Sequence, residues 1–361
     1  MQTKYLLSLN AHEKIGSQTI KKILASFDDD LEKVWHAGFN ELNQKLGDKI
    51  AGYIVEARDN FLPEDEIKKL EKIGAGYMTM YDKRYPKLLR EIPDCPAILY
   101  IKGDIASLDK PSIAVVGSRK YTNYGKNTTE KLTKACVDAG LSIISGLALG
   151  IDAIAHRTTI DNDGITVAVL GCGIDKIYPI ANYNLAGDIL KSGGAIVSEF
   201  SPGTPPLKHY FPARNRIIAG LSMGTLVIEA AEESGALITA LEALDYNREV
   251  FAVPGNIDSE NSKGTNLLIQ KGAKLVMSEE DIFSELNIET EKCQIKSQKM
   301  LPETKEETSI KECLMAGEKL VDDIVKDTGL NIISVNTALT TMEMKGVVEN
   351  IGGGRFKLNN K

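Results

Sequence analysis

Long apolar runs are missing from this 361-residue chain. No stretch approaches the roughly 18–20 apolar residues that cross a bilayer, so no membrane partner is expected. The opening segment MQTKYLLSLNAHEK has too short an apolar run, and no small-residue cleavage site, for a signal peptide. Cysteines are few and scattered (Cys95, Cys136, Cys172, Cys293, Cys313), with no CxxC pair. That argues against a disulfide framework or a zinc ribbon and points to a reducing, cytoplasmic setting. The histidines His12, His36, His156 and His209 lack metal-ligand spacing. No G-x-x-x-x-G-K-[ST] occurs, which removes a P-loop ATPase, and no G-x-S-x-G, which removes a nucleophile elbow. No catalytic residue, metal or cofactor is therefore expected. Glu199 and Glu229 sit at strand ends as possible acid/base groups, but holding Arg214 or Arg216 is the better role for them.

Hydrophobic residues make up 43% and charged residues 26%, which excludes whole-chain disorder. The length implies two or three domains. Net charge is −7, which at first speaks against a nucleic-acid partner. Two windows depart from that average. From Lys110 to Thr129 the cations Lys110, Arg119, Lys120 and Lys126 occur without an acid. From Phe200 to Ile228, Lys208, Arg214, Arg216 and His209 occur, again without an acid. Brought together by folding, these windows would form a positive site on an acidic body.

Residues 1–85 read as a helical domain. KIGSQTIKKILASF and DEIKKLEKIGAG place apolar residues three and four apart. KIGSQTIKKIL has a helix–turn–helix flavour, but its cations are matched by acids, so a packing role is favoured. Residues 86–285 alternate β-branched runs with amphipathic stretches. The runs begin at Ile113, Leu141, Ile165, Ala195, Thr225, Val250 and Lys274; helices are expected over 124–139, 151–159, 182–191, 236–246 and 265–271. This pattern predicts an α/β fold, a Rossmann-like, doubly wound, mostly parallel sheet with its ligand beyond the carboxyl ends of the strands. Residues 286–308 are polar and aperiodic, a linker. Residues 309–361 read as a winged helix: helices near 309–316, 320–328 and 332–344, then a hairpin over 347–358 turning on three glycines.

The loops after the strands carry the chemistry. Gly117 lets the chain turn and approach a phosphate, Ser118 can donate to it, and Arg119, followed by Lys120, can hold it bidentately. Asp152 is read as a structural acid, and Lys176 in the third loop as a phosphate contact. GSRKYTNYG lacks the spacing of a dinucleotide fingerprint, and Gly171-Cys-Gly173 lacks the third glycine, so NAD and FAD are not expected. The segment 201–222, SPGTPPLKHYFPARNRIIAGLS, combines Lys208 with His209, Tyr210 and Phe211, whose flat faces suit unpaired bases. Arg214, Asn215 and Arg216 follow at the expected start of a helix, favourable to phosphate. The competing structural reading buries Tyr210 and Phe211 and pairs the arginines with acids of the 236–246 helix.

Gly117-Ser-Arg119, Ser145-Gly-x-Ala-x-Gly-Ile-Asp152, Leu170-Gly-x-Gly-x-Asp-x-x-Tyr-Pro179, Phe211-Pro-x-Arg-Asn-Arg-Ile-Ile-Ala-Gly220, Glu229-Ala and Ser234-Gly-x-Leu-Ile-Thr239 together resemble the DNA-processing protein A family (DprA, also called Smf). The resemblance implies a non-enzymatic protein that binds incoming single-stranded DNA during natural transformation, shields it and loads the RecA recombinase. It implies a homodimer through the extended Rossmann domain. It also implies a phosphate grip by Gly117, Ser118 and Arg119, with Lys176, Lys208, Phe211, Arg214 and Asn215 in the same pocket. The candidate recognition helix 331–344 contains no Lys or Arg, and Arg355 and Lys357 of the wing are its basic neighbours, so duplex reading is not favoured. Two alternatives compete. One is a Rossmann-fold nucleotide enzyme of the phosphoribohydrolase kind, for which Leu-Ser-Met-Gly-Thr225 lacks the glycine run. The other is a winged-helix regulator.

Overall fold

The seven apolar runs read from the sequence become seven parallel strands in the computed structural model, which describes residues 3–288, 304–315, 317–344 and 347–359. They are β3 (Ser112–Val116), β4 (Ser142–Ser145), β5 (Thr166–Val169), β6 (Ala195–Ser198), β7 (Gly224–Val227), β8 (Glu249–Ala252) and β9 (Lys274–Leu275). Every residue of β3 to β7 is buried. That is the condition under which uninterrupted β-branched runs are stable, because helices cover both faces. Two earlier strands, β1 (Gly76–Thr79) and β2 (Ile98–Gly103), extend the sheet antiparallel, giving the order β1-β2-β6-β5-β4-β3-β7-β8-β9. The helical reading of residues 1–85 is corrected at β1. Its four residues carry no strand pattern of their own and are extended because they pair with β2.

Strand order reverses at β3, which has β4 on one side and β7 on the other. At such a switch point the connections run to opposite sides and leave a crevice beyond the strand ends. The helices Asn123–Asp138 and Ile151–Asp161 start from that rim.

The amino-terminal helices pack onto this sheet. Phe27, Ile20, Ile23 and Leu42 are fully buried, each contributing about 1.5–3 kcal/mol by leaving water. Their core is continuous with Ile98, Tyr100 and Ile196 of the sheet. Asn10 Nδ2 donates to Tyr100 Oη (3.2 Å) and to Glu199 O (3.0 Å). Residues 1–288 thus form one compact unit, and 289–361 a second.

In the second unit, helices Lys305–Leu314, Val321–Thr328 and Ile332–Met344 enclose Ile310, Ile324, Val335 and Leu339. Three short strands, β10 (Lys319–Leu320), β11 (Val348–Gly352) and β12 (Arg355–Leu358), complete the winged helix in the order β10-β12-β11. Gly353 and Gly354 take positive φ at the wing turn, which side chains disfavour. The first helix begins inside the expected linker. Thr304 Oγ1 accepts the Glu307 N–H (3.2 Å), and Glu307 answers to the Thr304 N–H (3.3 Å), a capping box that starts the helix at Lys305. The expected linker residues 289–303 and Cys293 lie outside the described residues.

Candidate nucleic-acid interface

Directly after β3 the chain turns at Gly117. A Cβ there would lie 2.8 Å from Ile151 Cγ1 and 3.0 Å from Glu229 O, so only glycine lets this loop close on the sheet. The loop is pinned on three sides. Ser118 N–H donates to Glu229 O (2.7 Å), Ser118 Oγ accepts from Lys120 N–H (3.1 Å), and Asn261 Nδ2 donates to Lys120 O (2.6 Å). Thr122 then caps the next helix, and its N–H and hydroxyl both donate to the Glu229 carboxylate (2.9 and 2.5 Å). Glu229 therefore holds the loop, whereas the sequence reading had it holding Arg214 or Arg216. Arg119 and Lys120 remain exposed at the tip.

The helix carrying the second window runs Tyr210–Leu221. It starts earlier than the sequence reading placed it, because Pro212 fits within a first helical turn, where no intrahelical N–H bond is lost. Arg214 thus sits in the second turn and acts through its side chain, not through a helix terminus. It is only 4% exposed. Its Nη1 donates to Val169 O (2.8 Å) and its Nε finds no partner among the described residues. Burial pulls its pKa below the ordinary guanidinium value, the Asp152 carboxylate opposes this, and the charge of Arg119 adds to it. Asp152 is pushed up by burial and held down by Arg214 and by the Ala148 and Gly146 N–H groups. Asp152 is the structural acid expected, gripping its own loop.

These pieces meet in one cleft of about 810 Å³ beyond the β3 end. Gly117, Ser118, Arg119 and Lys120 border it from the first window; Lys208, Phe211, Arg214 and Asn215 border it from the second. Phe211 faces Tyr178, with ring centroids 5.5 Å apart and planes 35° apart, an open aromatic pair on which a base can stack. Tyr178, 47% exposed, was missed by the sequence reading. Its signal is an aromatic two residues past Lys176 in a strand-end loop. Asn261 and the carboxylates Glu233 and Glu260 also reach the cleft, and Glu260 is paired with Lys263 at 2.7 Å.

Residues 76–287 match the family model of DNA recombination-mediator protein A, and residues 297–354 match that of the DprA winged helix domain. The chain belongs to the DprA/Smf family. Protein Smf of Synechocystis is 34% identical across 98% of both chains. DNA processing protein DprA of Streptococcus pneumoniae is 46% identical over 57% of this chain and 73% of its own. The X-ray structure of the S. pneumoniae protein superposes with a TM-score of 0.70, at 37% identity, over 80% of this chain and 99% of that one. A structure described as showing the single-stranded DNA binding mode of DNA processing protein A from Helicobacter pylori matches with a TM-score of 0.53. It is 32% identical over 58% of this chain and 95% of that one.

Four expected contacts, Lys176, His209, Tyr210 and Arg216, do not border the cleft in this DprA fold. Arg216 projects away from the cleft into an ion pair with Glu199, and its Nε lies 3.6 Å from Asp94 Oδ2. Two residues apart on a helix means about 200° around its axis, so Arg214 and Arg216 cannot serve one face. Lys176 Nζ donates to Gly203 O (2.6 Å) while Asp175 accepts from Gly203 N–H (2.8 Å), so the pair braces the 201–204 turn. Tyr210 lies against Phe200, with ring centroids 4.2 Å apart and planes 38° apart, and borders a separate cavity of about 550 Å³ with His12 and Phe61.

The Arg216 pocket also gives the protein a pH dependence. Burial, with Asp94 nearby, pushes Glu242 up to about 8, against the pull of Arg216. A carboxyl with a higher pKa folded than unfolded binds its extra proton in the folded state. The stability that this one carboxyl contributes should therefore be lost as pH rises from about 4.5 to about 8. Thermal melts of Glu242→Gln should show a flatter slope across that window than the native chain; an equal slope would refute the assignment.

Proposed function

We propose that this chain binds single-stranded DNA without chemically altering it. In that role it protects incoming strands and loads a RecA-type recombinase onto them in the cytoplasm, acting as a homodimer. One observation supports this reading above the others: the two acid-free windows, some 90 positions apart, converge on one cleft. Arg119, Lys120, Lys208 and Arg214 there offer charge to a sugar–phosphate strand, and Tyr178 with Phe211 offers flat surface to its bases. Gly117 brings backbone close to the strand, and Ser118 and Asn215 add polar contacts. The single-stranded DNA binding described for the H. pylori relative agrees with this reading. So does the winged helix, whose helix Ile332–Met344 has no Lys or Arg to offer base edges. Duplex reading is therefore not assigned to it.

Titration of labelled single- and double-stranded oligonucleotides tests the proposal. Binding to single strands should weaken steeply with salt. Arg119→Ala should weaken it for every sequence alike and lower the salt slope by about 0.7, the share of one single-strand phosphate contact. Affinity that is flat with salt, or unmoved by the substitution, rejects the proposal. Release of free base from nucleoside monophosphates would favour the nucleotide-enzyme alternative.

A further inference from the structure

A second groove of about 610 Å³ lies between the helices Asn123–Asp138 and Ile151–Asp161. It shares one wall with the cleft. Arg119 and Lys120 border the cleft while the next residue, Tyr121, borders the groove; Ala148 and Asp152 border the cleft while Gly150 and Ala153 border the groove. That wall is thin. A Cβ on Gly150 would lie 2.3 Å from Ser118 O and 2.7 Å from Arg119 Cα, so the two loops touch with no side chain between them.

Resting on the single-strand reading above, we propose that this groove continues the track, receiving the sugar–phosphate backbone of nucleotides that leave the cleft past Arg119. Tyr121 stands at the mouth, 44% exposed, as a platform for the first base outside the cleft. Beyond it Lys126 and Lys134 project from one face of their helix, about 12 Å apart along its axis, and Arg157 projects from the facing helix. The groove lining also holds Glu130 and Asp161, so its three cations outnumber its lining carboxylates by one, while Asp138 and Asp188 stand beside those cations outside the lining. Each cation has a carboxylate neighbour: Lys126 with Glu130 at 3.8 Å, Lys134 with Asp138 at 2.9 Å, and Arg157 with Asp188 at 3.1 Å. All three pairs are solvent-exposed, and such pairs hold weakly. A phosphate can displace the carboxylate and gain a charge-assisted hydrogen bond, bidentate at Arg157.

The test uses the full chain, the double variant Lys134→Ala/Arg157→Ala and two fluorescent oligodeoxynucleotides. One has about 5 nucleotides, enough for the cleft, and one about 15, enough for cleft and groove. The double variant should bind the short strand as the native chain does, which also certifies its fold. It should bind the long strand roughly tenfold more weakly, with a salt slope smaller by about 1.4. Lys134→Glu/Arg157→Glu should deepen the long-strand loss. Long-strand binding equal to the native chain, or an equal loss at both lengths, overturns the groove assignment. Arg119→Ala, run in parallel, should weaken both lengths. If it weakens neither, the single-strand reading itself fails, and the groove proposal with it.

Discussion

Gly146→Ala should abolish most single-strand binding while costing about 1–3 kcal/mol of stability, although the new group is a single methyl. A Cβ at Gly146 would stand 1.8 Å from Arg214 Nη1 and 2.6 Å from its Cζ. Backbone strain is not the cause, since Gly146 is not among the glycines with positive φ. The guanidinium must leave, and with it go the bond to Val169 O and the cation that steadies the buried Asp152 carboxylate. Arg214→Ala should be worse, about 3 kcal/mol, because it leaves that carboxylate buried with no cation, only the Gly146 and Ala148 N–H groups and the Ser145 side chain. The two changes act through one side chain, so they should not add. In the Arg214→Ala background Gly146→Ala should cost almost nothing, its clash already removed. Urea unfolding of the four-member cycle, with oligonucleotide titration of each folded variant, measures this. Additive losses would show that Gly146 and Arg214 act separately.

The parallel sheet was legible because burial on both faces leaves a local mark, the run of β-branched residues, and because glycines follow the strands where backbones must pass closely. The cleft was legible because acids are missing from the two segments that form it. What could not be read is what pairing decides. β1 is extended only because β2 lies beside it, and four residues carry too little pattern to announce that. The partners of Arg216 lie 17 positions before it, at Glu199, and in a loop at Asp94, and no spacing rule links them. One signal was available and unused. In Arg214-Asn-Arg216 the arginines stand two apart, which on any helix sends them to different faces, so at most one could line the cleft. Lys176 illustrates the same limit in a loop: its charge suggested a phosphate, and its reach to Gly203 O depends on a fold of the proline-rich segment that composition alone does not give.

Arg216→Met should destabilise the protein by about 3–5 kcal/mol at neutral pH and leave oligonucleotide affinity of the folded molecules near the native value. The guanidinium is the cation between Glu199 and Asp94, and its side chain is 11% exposed, as is that of Glu199. Methionine fills much of the volume but leaves carboxylates facing one another in a poorly solvated pocket. Burial already pushes the Glu199 carboxyl above the ordinary value, with Arg216 opposing, so loss of Arg216 must push it higher. A raised folded-state carboxyl pKa costs nothing below about 4.5, the unfolded value, and costs progressively more as pH rises toward the folded one. The gap between variant and native stability should therefore widen from acid to neutral pH. Adding Glu199→Gln should recover part of the loss, since it removes one uncompensated charge while keeping the side chain's shape. A variant that unfolds at the native urea concentration yet loses affinity as Arg119→Ala does would instead return Arg216 to the strand's track.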